Sequence, residues 1–142
     1  MIYTELTKLA LNTAYKAHTG QLDRSGLPYI FHPYHLAEQM TDELTCAIAL
    51  LHDVVEDTDV TLEELAKLFP PEVVEGVRLM THTDDTDYFD YVRNIKGTAA
   101  EPVKRADLAH NSDLSRLDAV TEKDILRLEK YKRAVRILNG EE

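Results

Sequence analysis

Apolar residues recur along this chain at the spacing of helices rather than strands. Ile2, Leu6, Leu9, Ala10, Thr13 and Ala17 share one stripe, which predicts a first helix ending near Gly20. Residues 20–31 contain Gly20, Gly26 and Pro28 and read as a loop. Pro33 suits the first turn of a short helix and puts His32 at its entrance. Residues 43–55 are apolar on nearly every side, which predicts a central, buried helix. Thr61-Leu62-Glu63-Glu64 is a capping box for another helix, stopped by Pro70-Pro71, and Pro71 starts the next through about Met80. Thr83 to Asp87 is polar and turn-like, and a short helix over 88–95 closes at Gly97. Val103, Ala106, Asp107, His110, Leu114 and Leu117 mark a helix from about 99 to 117. Thr121 caps the last helix, with Ile125, Leu128, Tyr131, Val135 and Leu138 inward and Asn139-Gly140 as its stop. No segment alternates with period two. The predicted class is all-α, an irregular bundle of about seven helices in a single domain spanning 1–142.

Length agrees with one domain, since 142 residues can bury a core without disulfides or metal staples. Sixteen Lys plus Arg against 26 Asp plus Glu give a formal net charge of −10. That balance argues against nucleic acid or an anionic membrane as partner, because both need a basic footprint. It does not argue against a small anionic substrate held by a metal, because one cation reverses the local field. The single cysteine, Cys46, rules out an internal disulfide and fits a reducing compartment. The N-terminus has neither a basic start nor an apolar run of signal length, and no stretch approaches the ~20 apolar residues that span a bilayer. The expected location is cytoplasmic, and nothing in the composition speaks to oligomeric state.

Several polar groups sit where apolar ones are expected. If the central helix continues through Asp57, His52 shares a face with Glu56, and Asp53 with Asp57. Three carboxylates would then crowd the negative end of a helix dipole, a conflict that a cation resolves. The other reading is a helix that stops at Asp53 and a solvated acidic loop beyond. Asp107 lies inside the apolar stripe of its own helix, where a carboxylate needs a cation, a donor or a proton. A metal would satisfy it, and so would an ion pair with Lys104. His32 could cap or ligate. His110 reads as a packing histidine or a partner to a ligand, and His18 suits a helix C-terminus. His35 and His82 carry no further signal. Together His32, His52, Asp53 and Asp107 supply two imidazoles and two carboxylates, a set suited to manganese, iron or zinc rather than calcium or a thiolate-bound zinc. Glu56 and Asp57 would flank an attacking water.

Four blocks of the sequence resemble a known family. They are Ala17-His18-Thr19-Gly20-Gln21 through Ser25-Gly26-Leu27-Pro28-Tyr29-Ile30-Phe31-His32-Pro33; Ala49-Leu50-Leu51-His52-Asp53-Val54-Val55-Glu56-Asp57-Thr58; Thr61-Leu62-Glu63-Glu64-Leu65 with Phe69 and Val77-Arg78-Leu79-Met80-Thr81; and Val103-Lys104-Arg105-Ala106-Asp107-Leu108-Ala109-His110-Asn111. In order and spacing they resemble the HD-domain hydrolases of the RelA/SpoT type, in particular the small stand-alone, Mesh-type enzymes that remove the 3′-pyrophosphate of ppGpp. The resemblance implies an HD-domain fold. It implies a divalent metal, most often Mn²⁺, on His32, His52, Asp53 and Asp107. It implies that Glu56 and Asp57 orient and polarise water, that Asn111 touches the nucleotide, and that Arg24, Ser25 and Lys104 line its pocket. A chain of this length leaves no room for a synthetase domain, so hydrolysis alone is expected. Other nucleotides, NADPH, or binding without turnover are the competing expectations. Two positions depart from the family, Asp23 and Asp113, where basic residues are usual. Both lower the positive charge expected near base and phosphates, so Asp23→Arg is expected to lower KM.

Overall fold

The computed structural model describes residues 1–142, and all regular structure in it is helical. Nine α-helices occur in the order α1 (Glu5–Ala17), α2 (Phe31–Glu38), α3 (Glu43–Leu51), α4 (Val54–Asp57), α5 (Leu62–Ala66), α6 (Pro71–Met80), α7 (Tyr88–Ile95), α8 (Glu101–Asn111) and α9 (Glu122–Leu138), with one 3₁₀ turn at Leu114–Arg116. The all-α expectation holds, with more helices than anticipated. The excess comes mainly from breaks within predicted helices.

Helix α3 is the axis of the fold. Asp42 caps it by accepting from the Thr45 N–H at 2.8 Å, and every residue from Thr45 to Leu51 is buried. It packs against α1, α2, α6 and α8. Gly76 of α6 permits one of these contacts, since a Cβ there would lie 2.6 Å from Cγ1 of Ile48. The predicted continuation to Asp57 is interrupted. Helix α3 ends at Leu51, His52 and Asp53 form a bend, and α4 restarts as a single turn capped at Thr58. Neither reading of this segment was right as it stood: the chain after Asp53 is neither the same helix nor a loop.

The predicted 99–117 helix also divides. Ser112 closes α8, Asp113 takes an extended conformation, and its carboxylate caps the 3₁₀ turn through the N–H of Ser115 at 3.1 Å. Thr61 and Thr121 cap their helices as expected, Thr121 in a reciprocal capping box with Asp124. The inward stripe of α9 differs from the prediction. Ala134, Ile137 and Leu138 are buried, whereas Ile125 is exposed and Asp124 is buried. Helix α9 packs against α7 and α8, and its N-terminal half turns a polar face toward a cavity. No helix is long and apolar enough to cross a membrane.

Candidate metal centre and its pocket

The bend after α3 brings His52 and Asp53 to the same place as His32 from the first turn of α2 and Asp107 from α8. Asp53 has φ −103° and ψ 0°, a sparsely populated backbone region where many active-site residues lie. The facing atoms form a closed ring of short approaches. His32 Nε2 is 3.0 Å from Asp107 Oδ1 and 3.7 Å from Asp53 Oδ2, while His52 Nε2 is 2.9 Å from Asp53 Oδ2 and 3.6 Å from Asp107 Oδ1. Donors at about 2.1 Å from one ion stand roughly 3.0–3.5 Å apart, so this spacing is that of ligands to a shared cation. His32 and His52 are 3% and 1% exposed.

The remaining atoms of these side chains are tied down. His52 Nδ1 lies 2.7 Å from the carbonyl of Ala49, to which it donates, and so aims Nε2 inward. His52 Nε2 is fully buried and finds no hydrogen bond of good geometry, although two carboxylates are close. An orphaned, buried imidazole nitrogen aimed at a point shared with two carboxylates is what a metal site presents when only the protein is considered. His32 uses Nδ1 on His110 Nδ1 at 2.7 Å with the two rings nearly parallel, and the His35 ring centre lies 4.2 Å from that of His110, tilted by 34°. Such partners orient metal-bound imidazoles. Asp107 accepts from Lys104 Nζ at 3.0 Å through its second oxygen and from Asn111 Nδ2 at 2.9 Å. Burial pushes the Asp107 carboxyl up, but Lys104 and the two histidines outweigh it and hold the group well below the usual carboxylate range. Burial pulls His52 down, and Asp53 with Asp107 more than reverses it, so that His52 rises well above the ordinary imidazole range. A divalent cation supplies the same positive charge without a proton. The four residues fit such an ion.

Glu56 and Asp57, on α4, stand beside this cluster. Asp53, Glu56 and Asp57 bring one carboxylate oxygen each to within 4.8 Å of one another. Both are open to solvent, yet they sit in a recess, and desolvation followed by the charge of Asp53 raises the Asp57 carboxyl; Glu56 is raised by desolvation and by Asp53 and Asp57. Glu56 Oε1 accepts the backbone N–H of His82 at 2.8 Å. Tyr29 donates its hydroxyl to Asp53 and reaches Asp57 Oδ2 at 3.3 Å. These carboxylates are held at defined positions with raised basicity, as general acid–base groups require.

His32, Asp53, Asp107, Glu56 and Asp57 line one cavity of about 550 Å³, a size usual for a nucleotide-scale ligand, with His52 buried beneath its wall. The ten sequence candidates divide in three. His32, His52, Asp53 and Asp107 converge, and Glu56 and Asp57 join them at the edge. Lys104 and Asn111 are also there, bound to Asp107. Arg24 and Ser25 lie on the 21–28 turn at the rim of the same cavity. Lys104 is therefore not a free cation. It is 5% exposed, ion-paired with Asp107, with Nζ 5.0 and 5.6 Å from the ring centres of Tyr91 and Tyr88. The ion-pair alternative for Asp107 and the metal alternative coexist on its two oxygens.

Sequence reading missed several lining residues. Tyr29 carries a hydroxyl inside an otherwise apolar block, a signal that was present. Arg127, Lys130 and Tyr131 line the cavity from α9. Burial, then the positive charges of Lys104, Arg24 and Arg127, push the Lys130 ammonium below its usual range, so this wall concentrates cations. The sequence reading has Asp23 lower the positive charge near base and phosphates, but in the structure its own charge is compensated within the chain. Asp23 Oδ2 pairs with Arg116 at 3.1 Å, and Oδ1 accepts from Ser25 and Leu27. Burial pushes its carboxyl up, yet those hydrogen bonds and Arg116 leave it below the ordinary value.

Residues 10–118 match the HD domain family. The chain belongs to the HD domain family. HD domains bind a divalent metal, and this one has the His/Asp cluster for it. Among full-length relatives, this HD domain is 36% identical over 118 residues to the GTP pyrophosphokinase rsh of Brucella melitensis, covering 78% of the chain and 15% of the relative. It is 37% identical over 102 residues to the bifunctional (p)ppGpp synthase/hydrolase SpoT of Escherichia coli K12, covering 69% of the chain and 14% of the relative. The chain thus spans about one seventh of these relatives. A solved structure of a metazoan ortholog of SpoT, described as hydrolysing ppGpp, superposes with a TM-score of 0.83 at 27% identity, covering 99% of this chain and 89% of that one.

Proposed function

We propose that this HD domain is a metal-dependent phosphohydrolase that removes the 3′-pyrophosphate of (p)ppGpp. The observation that carries the reading is the pocket itself. At its base two imidazoles and two carboxylates, three of the four residues buried, approach one another at 2.9–3.7 Å from nitrogen to oxygen. Two carboxylates of raised basicity stand at one side, and a wall of cations at the other. The likeness to SpoT and to its metazoan ortholog supports the choice of substrate.

His32, His52, Asp53 and Asp107 would hold the ion, and the mixed imidazole–carboxylate set suits Mn²⁺. When bound, such an ion supplies Lewis acidity and lowers the pKa of coordinated water. Glu56, fixed by the His82 N–H, takes the proton of the attacking water, and Asp57, fixed by Tyr29, holds that water in line. Lys104 and Asn111 keep Asp107 oriented, and Asn111 also meets the nucleotide from the end of α8. Arg24 and Lys130 neutralise phosphate charge, with Ser25 beside them, while Arg127 is paired with Asp124 on the same wall. The products are pyrophosphate and the nucleoside 5′-diphosphate from ppGpp, or the 5′-triphosphate from pppGpp. The substrate is a small anionic nucleotide met in the cytoplasm. With a net charge of −10, nucleic acid is not the partner.

The test is a manganese-supplemented assay over ppGpp, pppGpp, NADPH and common nucleotides, scoring pyrophosphate against phosphate release. Pyrophosphate from ppGpp is the expected product. Phosphate release from NADPH alone, or full metal occupancy without turnover of any substrate, would overturn the reading.

A further inference from the structure

Residues 21–29 form a closed turn. Leu22 and Pro28 pair as an isolated antiparallel bridge, the Tyr29 N–H donates to the Gln21 carbonyl at 2.8 Å, and Gly26 takes φ +84°. Asp23 organises the interior of this turn. Its Oδ1 accepts from Ser25 N at 2.9 Å, Ser25 Oγ at 2.6 Å and Leu27 N at 3.1 Å. Its other oxygen leaves the turn and meets Arg116, 93 residues along the chain, in the 3₁₀ turn after α8. Arg116 is itself anchored, because Nη1 donates to the carbonyl of His110 at 2.9 Å. One guanidinium therefore bridges the 21–28 turn to the end of α8, the helix that carries Asp107. The Asp23 side chain is only 8% exposed and that of Arg116 23%, so the pair is far less screened than a surface ion pair. Both ends line the cavity, and the residues carried between them, Arg24 and Ser25, are the rim contacts.

We propose that the Asp23–Arg116 pair is a positioning strap that fixes the 21–28 turn across the mouth of the pocket and so sets substrate affinity without entering the chemistry. Neither residue supplies charge to the substrate. Asp23 is neutralised by Arg116, and Arg116 is occupied by Asp23 and the His110 carbonyl. What the pair supplies is the placement of Arg24 and Ser25. An acidic residue at 23 is then compensated within the chain rather than a loss of binding charge, and Asp23→Arg is expected to raise KM, since it sets two guanidinium groups against each other and empties the turn of its acceptor.

The kinetic part of this inference rests on the phosphohydrolase reading, so the experiment has two arms. In the metal-loaded protein, Asp23→Asn, Arg116→Gln and the double variant are compared for hydrogen exchange over residues 21–28 and for KM and kcat on ppGpp. Each single substitution is expected to accelerate exchange in that segment alone. It should also raise KM by about tenfold, the scale of one lost charge-assisted hydrogen bond, and leave kcat and metal content near wild type. The double variant should be no worse than the weaker single, because both remove the same link. Arg116→Lys, which keeps the charge, should restore most of the protection. A raised KM in Arg116→Gln beside a normal Asp23→Asn would make Arg116 a direct substrate contact and overturn the strap, as would additive effects or unchanged exchange. If the wild type turns over no ppGpp, the proposed substrate fails, while the exchange arm still decides whether the strap exists.

Discussion

At the floor of the pocket, each imidazole gives one nitrogen inward and has the other engaged, His32 on His110 and His52 on the Ala49 carbonyl. Asp107 is held from behind by Lys104 and Asn111. At the rim, Arg24 and Lys130 are exposed and crowded by like charge. The difference follows from what each region does. A metal demands fixed donors, which only buried and doubly bonded side chains provide. A phosphate chain is met by charge, and several flexible cations can share that task. Loss of one floor group should therefore abolish function, whereas loss of one rim group should weaken binding by degrees.

The largest effect is expected for Asp107→Ala. Metal content should collapse and ppGpp turnover with it. Lys104 would remain buried without a partner, costing about 3–5 kcal/mol in a thermal or denaturant melt. Full metal occupancy in this variant would dissolve the distinction between floor and rim. Glu56→Gln comes next. It should retain metal and lose turnover on the order of 100-fold or more, the range of a positioned acid–base group, and an unchanged kcat would remove Glu56 from the chemistry. His110→Ala sharpens the contrast further. It touches no metal itself, yet by freeing His32 Nδ1 it should lower metal affinity about 10–100-fold in a competitive chelator titration. The smallest change is expected at the rim. Lys130→Ala should raise KM a few-fold, by about the worth of one exposed charge contact, with kcat unmoved and a shallower salt dependence of kcat/KM. A kcat loss there as large as that of Glu56→Gln would show that the rim takes part in the reaction.

The same contrast decided what the sequence disclosed. Floor residues betray themselves locally, because a carboxylate or imidazole on an apolar stripe, as at Asp107 and His52, conflicts with its surroundings. The family spacing then joins the four. Rim residues sit on solvated faces, where charge is normal. Arg127 and Lys130 look like any outer face of a helix. The inward stripe assigned to α9 went astray because that helix meets the core only toward its C-terminus, leaving Ile125 exposed and Asp124 buried. The Asp23–Arg116 pair joins positions 93 residues apart through one hydrogen bond, a relation that periodicity does not encode. Helix types and most caps were legible for the same reason as the floor, since they depend on neighbours in sequence. The bend at His52–Asp53 was not, because an unbroken apolar run masks it.

That bend has a thermodynamic consequence. On a regular helix, neighbours point about 100° apart and could not grip one ion. In the proposed site two successive residues, His52 and Asp53, would act as a chelating unit at the end of the most buried helix of the molecule. Closing that chelate would tie the end of α3 to α2 and α8 through one ion. Ion affinity and fold stability are thereby one linked quantity, and at a hundredfold excess of free metal over Kd the linkage amounts to about 2.7 kcal/mol. Titrating metal into the bare protein while following its melting temperature would then read out ion affinity directly, before any substrate is known to bind.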